Sequence, residues 1–169
     1  ILIADIIIII AENKFKNGVL KPLTLEIADI VKSHNFFLRN SIVWFLPENK
    51  PSPNALFVNR YKMIFHFTKN DDSYFFSKDP IRERHIWEKV EWGQRKKNYN
   101  PLGKSPGNVW MRTEDNGKGV ITKHLPLSRK ECIERILLCS CKEIDRVLFL
   151  NFKDSLDKNF NREITYEKI

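Results

Sequence analysis

Apolar residues arrive in blocks along the chain, and the spacing inside each block predicts its element. Residues 1–10 are an almost unbroken aliphatic run, interrupted by Asp5. A β-branched run without alternation predicts a strand covered on both faces, as in a parallel sheet. Polar residues 12–18 then form an exit loop with Asn17-Gly18 as its turn. Over 20–33, Leu23, Ile27, Ile30 and Val31 recur at helical spacing, and Pro22 suits the first turn. Strand composition returns at 36–46 and again at 61–68, rich in Ile, Val, Phe, Trp and Tyr. Strand, helix, strand with short links predicts a βαβ unit with parallel strands and a right-handed crossover.

The link between the last two strands carries Pro47, Pro51 and Pro53, which fix φ and extend the residues before them. A stiff loop can present Asn49, Ser52, Asn54, Asn59 and Arg60 to a partner at small ordering cost. Further on, 82–104 interleaves seven cations (Arg82, Arg84, Lys89, Arg95, Lys96, Lys97 and Lys104) with three Glu and with Trp87, Trp92 and Tyr99. Cations with aromatics suit phosphates and unpaired bases, and a solvated charged loop is the plain alternative. Pro101, Gly103, Pro106, Gly107, Gly117 and Gly119 mark the following stretch as irregular. In 124–141, Ser128 and Glu131 form a capping-box pair, and Ile133, Ile136, Leu137 and Cys141 follow at helical spacing. His124 with Cys132, Cys139 and Cys141 is a poor zinc set, and buried small hydrophobes are the expected role of the cysteines.

Composition narrows the class. At 169 residues and 42% hydrophobic, the chain is one domain's worth with enough apolar mass for a core. Net charge of +8 suits a polyanion. Three cysteines without a secretory signal point to a reducing, cytoplasmic setting. The N-terminal run is too short for a membrane span. The first residue is Ile rather than Met, so the chain is expected to begin inside a longer reading frame.

The phrases Arg39-Asn40-Ser-Ile-Val-Trp44, Pro47, Pro51-Ser52 and Asn59-Arg-Tyr61-Lys-Met-Ile-Phe-His-Phe-Thr-Lys69 together resemble the site-specific DNA methyltransferases. The group most resembled is the amino-methylating one, adenine-N6 or cytosine-N4 specific, whose cofactor motif follows the catalytic motif. The resemblance runs from about residue 6 to 148. It implies an α/β fold, a partial Rossmann-like methyltransferase sheet with an irregular basic insert. The expected division is 1–75 for the catalytic-side core, 76–121 for a variable target-recognition insert and 122–169 for the cofactor side. The phrase Asn100-Pro-Leu-Gly-Lys-Ser-Pro-Gly-Asn-Val-Trp110 is similar to the one closing that insert. The resemblance implies duplex DNA as partner and S-adenosylmethionine as cofactor, in a restriction-modification setting. The missing part of the same enzyme, or a second copy, is a further expected partner.

The residues expected to contact DNA are Arg39, Asn49, Ser52, Asn59, Arg60, Arg95, Lys96, Lys97 and Lys104, and His124 with Pro126 is expected to wall the cofactor pocket. Residues 145–150 read as the first cofactor strand. The family follows that strand with a glycine-rich turn, since backbone must approach the cofactor. Here Asn151-Phe-Lys-Asp-Ser-Leu-Asp157 stands in that place, and Gly119 is the last glycine of the chain. Glu163 is the acidic residue nearest the ribose-gripping place. Ser128-Arg129 replaces the family's aromatic-proline pair, and Lys62 stands where an acidic residue is usual. Amino methylation also needs a flipped base whose NH₂ is held by a Pro-Pro-aromatic motif. No such motif occurs in these residues, which places it upstream of Ile1. A portion of a DNA amino-methyltransferase, without activity of its own, is therefore expected. The alternatives are a non-catalytic DNA-binding module and, more weakly, a nuclease, for which Asp71-Asp72 are too isolated.

Overall fold

A computed structural model describes residues 5–47, 57–87, 93–150 and 164–167, with the side chains of 94–96 outside that description. The elements are β1 (Ile6–Ala11), β2 (Lys14–Lys16), β3 (Val19–Lys21), α1 (Leu23–Ser33), β4 (Phe37–Phe45), β5 (Tyr61–Thr68), β6 (Val109–Trp110), β7 (Arg112–Asp115), β8 (Ile121–Leu125), α2 (Arg129–Ser140), β9 (Val147–Leu150) and β10 (Ile164–Glu167). Short 3-10 turns occupy Asp79–Ile81 and Gly93–Asn98.

The main sheet has the order β1-β5-β4-β6. Both β1 and β4 pair antiparallel to β5, and β6 pairs parallel to β4. Hence β1 and β4 run in the same direction around α1, as a strand-helix-strand unit should, yet they do not touch. This corrects the expectation of a parallel pair buried on both faces. The central position belongs to β5, whose residues from Ile64 to Thr68 are all buried. The aliphatic run takes the edge instead, with most of β1 half-buried.

Side-chain alternation assigns the two faces of the sheet. Ile42, Trp44 and Ile64 join Ile81, Trp110, Leu127 and the α2 residues Cys132, Ile133, Ile136, Leu137 and Cys139 in one core cluster. Phe65 and Phe67 alternate with these, and α1 contacts β4 and β5. The buried side of α1 is Thr24 flanked by the half-buried Ile27, Ala28 and Val31, whereas Ile30 points outward. Pro22 lies one position earlier than expected, as the N-cap, and supplies no side-chain cap. Asn13 substitutes for one: its Oδ1 accepts from Thr24 N at 3.0 Å and from Thr24 Oγ1 at 2.8 Å.

The exit loop after β1 is itself a hairpin. Asn17 and Gly18 both take positive φ, 52° and 73°, which is the two-residue turn that joins β2 to β3. The start of α2 follows its sequence signal: Ser128 Oγ accepts from Glu131 N at 3.1 Å, and Glu131 Oε2 accepts from Ser128 N at 2.7 Å.

The stretch 76–121 is not uniformly irregular. Ile81 and Trp110 sit in the core, and β6 extends the main sheet. Glu83 and Lys104 exchange backbone hydrogen bonds of 3.0 and 2.7 Å. Gly103 permits that approach, since a Cβ there would lie 2.6 Å from the Glu83 carbonyl oxygen. β7 and β8 form a separate antiparallel hairpin, and β9 pairs parallel with β10.

Candidate nucleic-acid interface

The carboxyl ends of β1, β4 and β6 point the same way, which is where open α/β sheets gather ligands. Glu12 and Asn13 follow β1, Leu46 and Pro47 follow β4, and Asn59, Arg60 and Lys62 arrive from the other strand of the β4–β5 pair. The register sets Phe45 against Tyr61 and Trp44 against Lys62. Asn59 Nδ2 donates to the Asn13 carbonyl at 3.4 Å, and Leu46 N donates to the Arg60 carbonyl at 2.9 Å. Lys62 Nζ lies 3.5 Å from Glu12 Oε2 and 5.6 Å from the Trp44 ring centre. The positive charge at 62 therefore belongs to a local ion pair with the strand across the sheet.

Trp44 links this edge to the chain before α2, because its indole N–H donates to the Leu127 carbonyl at 3.0 Å. Pro126 is the neighbour of that carbonyl, and His124 lies on β8 opposite Thr113. Both are exposed. Exposed as they are, these two residues alone do not enclose S-adenosylmethionine.

Arg39 lies at the opposite end of the same strands, six residues from Phe45, a span of about 20 Å. Its guanidinium is occupied within the chain. Nε donates to Thr68 Oγ1 at 2.9 Å, and the terminal nitrogen donates to the carbonyls of Asn70 and Asp71 at 3.0 and 2.6 Å and to Asp71 Oδ1 at 2.7 Å. Tyr74 and Phe37 stack on it at 4.7 and 5.3 Å. Beside it, His66 is 1% exposed, lies against Phe76 at 5.7 Å, and receives the Asn40 amide at 3.3 Å on Nδ1. Burial, and behind it the Arg39 charge, lowers its pKa to about 4, so the ring is neutral. Its Nε2 has no hydrogen-bond partner among the described residues.

Lys97 and Lys104 are exposed, Lys97 in the 3-10 turn and Lys104 at its bridge to Glu83. Asn49, Ser52, the side chains of Arg95 and Lys96, Asn151 to Asp157 and Glu163 lie outside the described residues. Burial pushes the Cys132 and Cys139 thiols up to about 12, so both are neutral core residues.

Four arginines are brought together that no single stretch of sequence groups. Arg82, Arg84, Arg112 and Arg135 line one open cleft of about 200 Å³ with Glu83 and Asp115. Arg82 holds Asp79 at 2.6 Å and Arg135 holds Glu83 at 3.1 Å, while Arg84 pairs with Asp115 and Arg112 with Glu131. Burial raises the Glu131 pKa, but the hydrogen bonds from Ser128 and Arg112 outweigh it and leave the carboxyl below its ordinary value. β10 ends on Glu167, registered against Leu150, an acidic residue at the carboxyl end of a strand that the sequence did not single out.

The model of the DNA methylase family, N6 and N4 specific, matches residues 5–148, and the chain belongs to that amino-methylating DNA methyltransferase family. It is similar to a type II methyltransferase, M.BglII, of Bacillus subtilis, at 35% identity over 150 residues, 83% of this chain. The match spans 41% of that relative's length. No helix among the described residues is long and apolar enough to cross a membrane.

Proposed function

We propose that this chain is the DNA-holding portion of an amino-methyltransferase that modifies adenine N6 or cytosine N4 within a specific duplex sequence, in a cytoplasmic restriction-modification system. The observation that carries the reading is the family match over 5–148, whose two most specific phrases form the adjacent strands β4 and β5. On this reading the sheet is part of a Rossmann-like methyltransferase sheet, and β9 with β10 is its cofactor-side pair.

Asn59 and Arg60, at the carboxyl end of the sheet, meet DNA together with Asn49 and Ser52, which precede them in the chain. Arg95, Lys96, Lys97 and Lys104 supply phosphate contacts from the insert, and these set position and affinity without carrying base information. Arg39 acts through the turn it clamps. S-adenosylmethionine is the donor used by the whole enzyme, and His124 with Pro126 contributes an outer wall only when the rest of the pocket is supplied, by the remainder of the enzyme or by a second copy.

The chain alone lacks the glycine turn and the Pro-Pro-aromatic motif. Loss of one positioning element commonly lowers a rate by on the order of 10²-fold or more, and loss of both leaves no measurable transfer. Calorimetry with S-adenosylmethionine and a labelled-methyl transfer assay on duplex DNA examine this directly. No heat at micromolar cofactor and no transfer are expected. Micromolar binding or transfer above background would mean that 151–157 builds a cofactor loop of another kind.

A further inference from the structure

We propose that the cleft between 82–84, β7 and α2 is a phosphate-binding site for duplex DNA, with Arg84 and Arg112 as its contacting residues. The inference rests on the DNA-binding reading above and adds Arg112, which lies outside the basic stretch 82–104, to Arg84, which lies within it.

The lining carries four guanidiniums and two carboxylates, and Asp79 and Glu131 behind it complete one carboxylate partner for each arginine. The side chains of Arg84 and Arg112 are each 53% exposed, while the Asp115 side chain, which holds Arg84, is 3% exposed. Each of these arginines is bonded to its carboxylate through one terminal nitrogen. A guanidinium has five donors in a rigid plane. One bond therefore braces the fork and leaves donors for an incoming oxyanion, which planar arginine binds in bidentate fashion. The half-exposed arginines at 84 and 112 leave their remaining N–H groups facing the open cleft, within reach of a phosphate. Arg112 is also tied to the start of α2, since Glu131 serves both as its partner and as the capping-box acceptor. A phosphate at Arg112 thus shares the cation with the Glu131 carboxylate, whose negative charge opposes it.

That opposition supplies a test which loss of structure does not mimic. Duplex affinity is measured against salt for the 169-residue chain and for Arg112→Gln, Arg112→Lys and Glu131→Gln, on two unrelated sequences, with circular dichroism to confirm folding. Gln keeps the capping box while removing the charge. Arg112→Gln should flatten the log–log salt slope by roughly one and weaken both duplexes alike, while Arg112→Lys keeps the slope but loses the part of the affinity that the planar fork supplies. Glu131→Gln should bind both duplexes more tightly than the parent. Wild-type affinity in both Gln variants overturns the site, as does a loss confined to one sequence, which would mean base reading. If Arg112→Gln does not fold, an unchanged Glu131→Gln alone overturns it. A parent chain that binds no duplex at low salt overturns the DNA reading itself, a result distinct from normal binding with silent variants.

Discussion

The indole nitrogen of Trp44 and the carbonyl oxygen of Leu127, 83 residues apart, are joined by a buried hydrogen bond of 3.0 Å. It fixes the chain entering α2 to the strand whose end presents the candidate interface. Trp44→Phe keeps most of the ring but strands a buried acceptor. A loss of about 1–3 kcal/mol is expected in denaturant unfolding, with the m-value unchanged.

His66 makes stability depend on pH in a defined window. Its folded pKa is depressed to about 4 from an ordinary 6.5, so the unfolded chain binds the extra proton between those values. The contribution of neutral His66 is complete above pH 6.5 and is lost as pH falls towards 4. It amounts to roughly 3 kcal/mol at full extent. Unfolding free energies at pH 7 and pH 4.5 should show the drop, and His66→Phe should reduce it.

The capping box predicts a modest, local effect. Ser128→Ala removes the acceptor for Glu131 N and should cost about 1 kcal/mol. Its effect on denaturation midpoint should be smaller than that of Trp44→Phe.

At Gly103 the limit is steric. A methyl group would meet the Glu83 carbonyl oxygen at 2.6 Å, and the backbone φ of +104° is unfavourable for any side chain. Gly103→Ala should cost more than ~1 kcal/mol and should speed amide exchange at Glu83 and Lys104, which exchange hydrogen bonds there.

How much of this was legible in the sequence varies with the range of the interaction. β5 was readable to the residue, because a long apolar strand is written in contiguous composition. The Ser128 cap was readable because both partners lie within one turn. The neighbours of β1 were not, since an aliphatic run records that it wants cover and not which strand provides it. Asn17-Gly18 carried the hairpin signal, but three-residue strands are too short to announce themselves by alternation. Arg39 was expected to contact DNA, whereas its guanidinium is bonded within the chain. Its partners at 68–71 come opposite only through the β4–β5 register, with a bulge between Leu38 and Asn40. The arginine cleft was hidden for the same reason: Arg112 and Arg135 lie in separate elements from Arg82 and Arg84, and only folding groups them. Family membership was legible because whole phrases, rather than single residues, carry it.

On the proposed function, this chain holds duplex DNA through phosphate contacts, which fluorescence anisotropy of a labelled duplex across a salt series measures. Measurable binding at low salt is expected, with log affinity falling linearly and steeply against log salt, and similar slopes for unrelated sequences. A flat salt response, or no binding at low ionic strength, would contradict it.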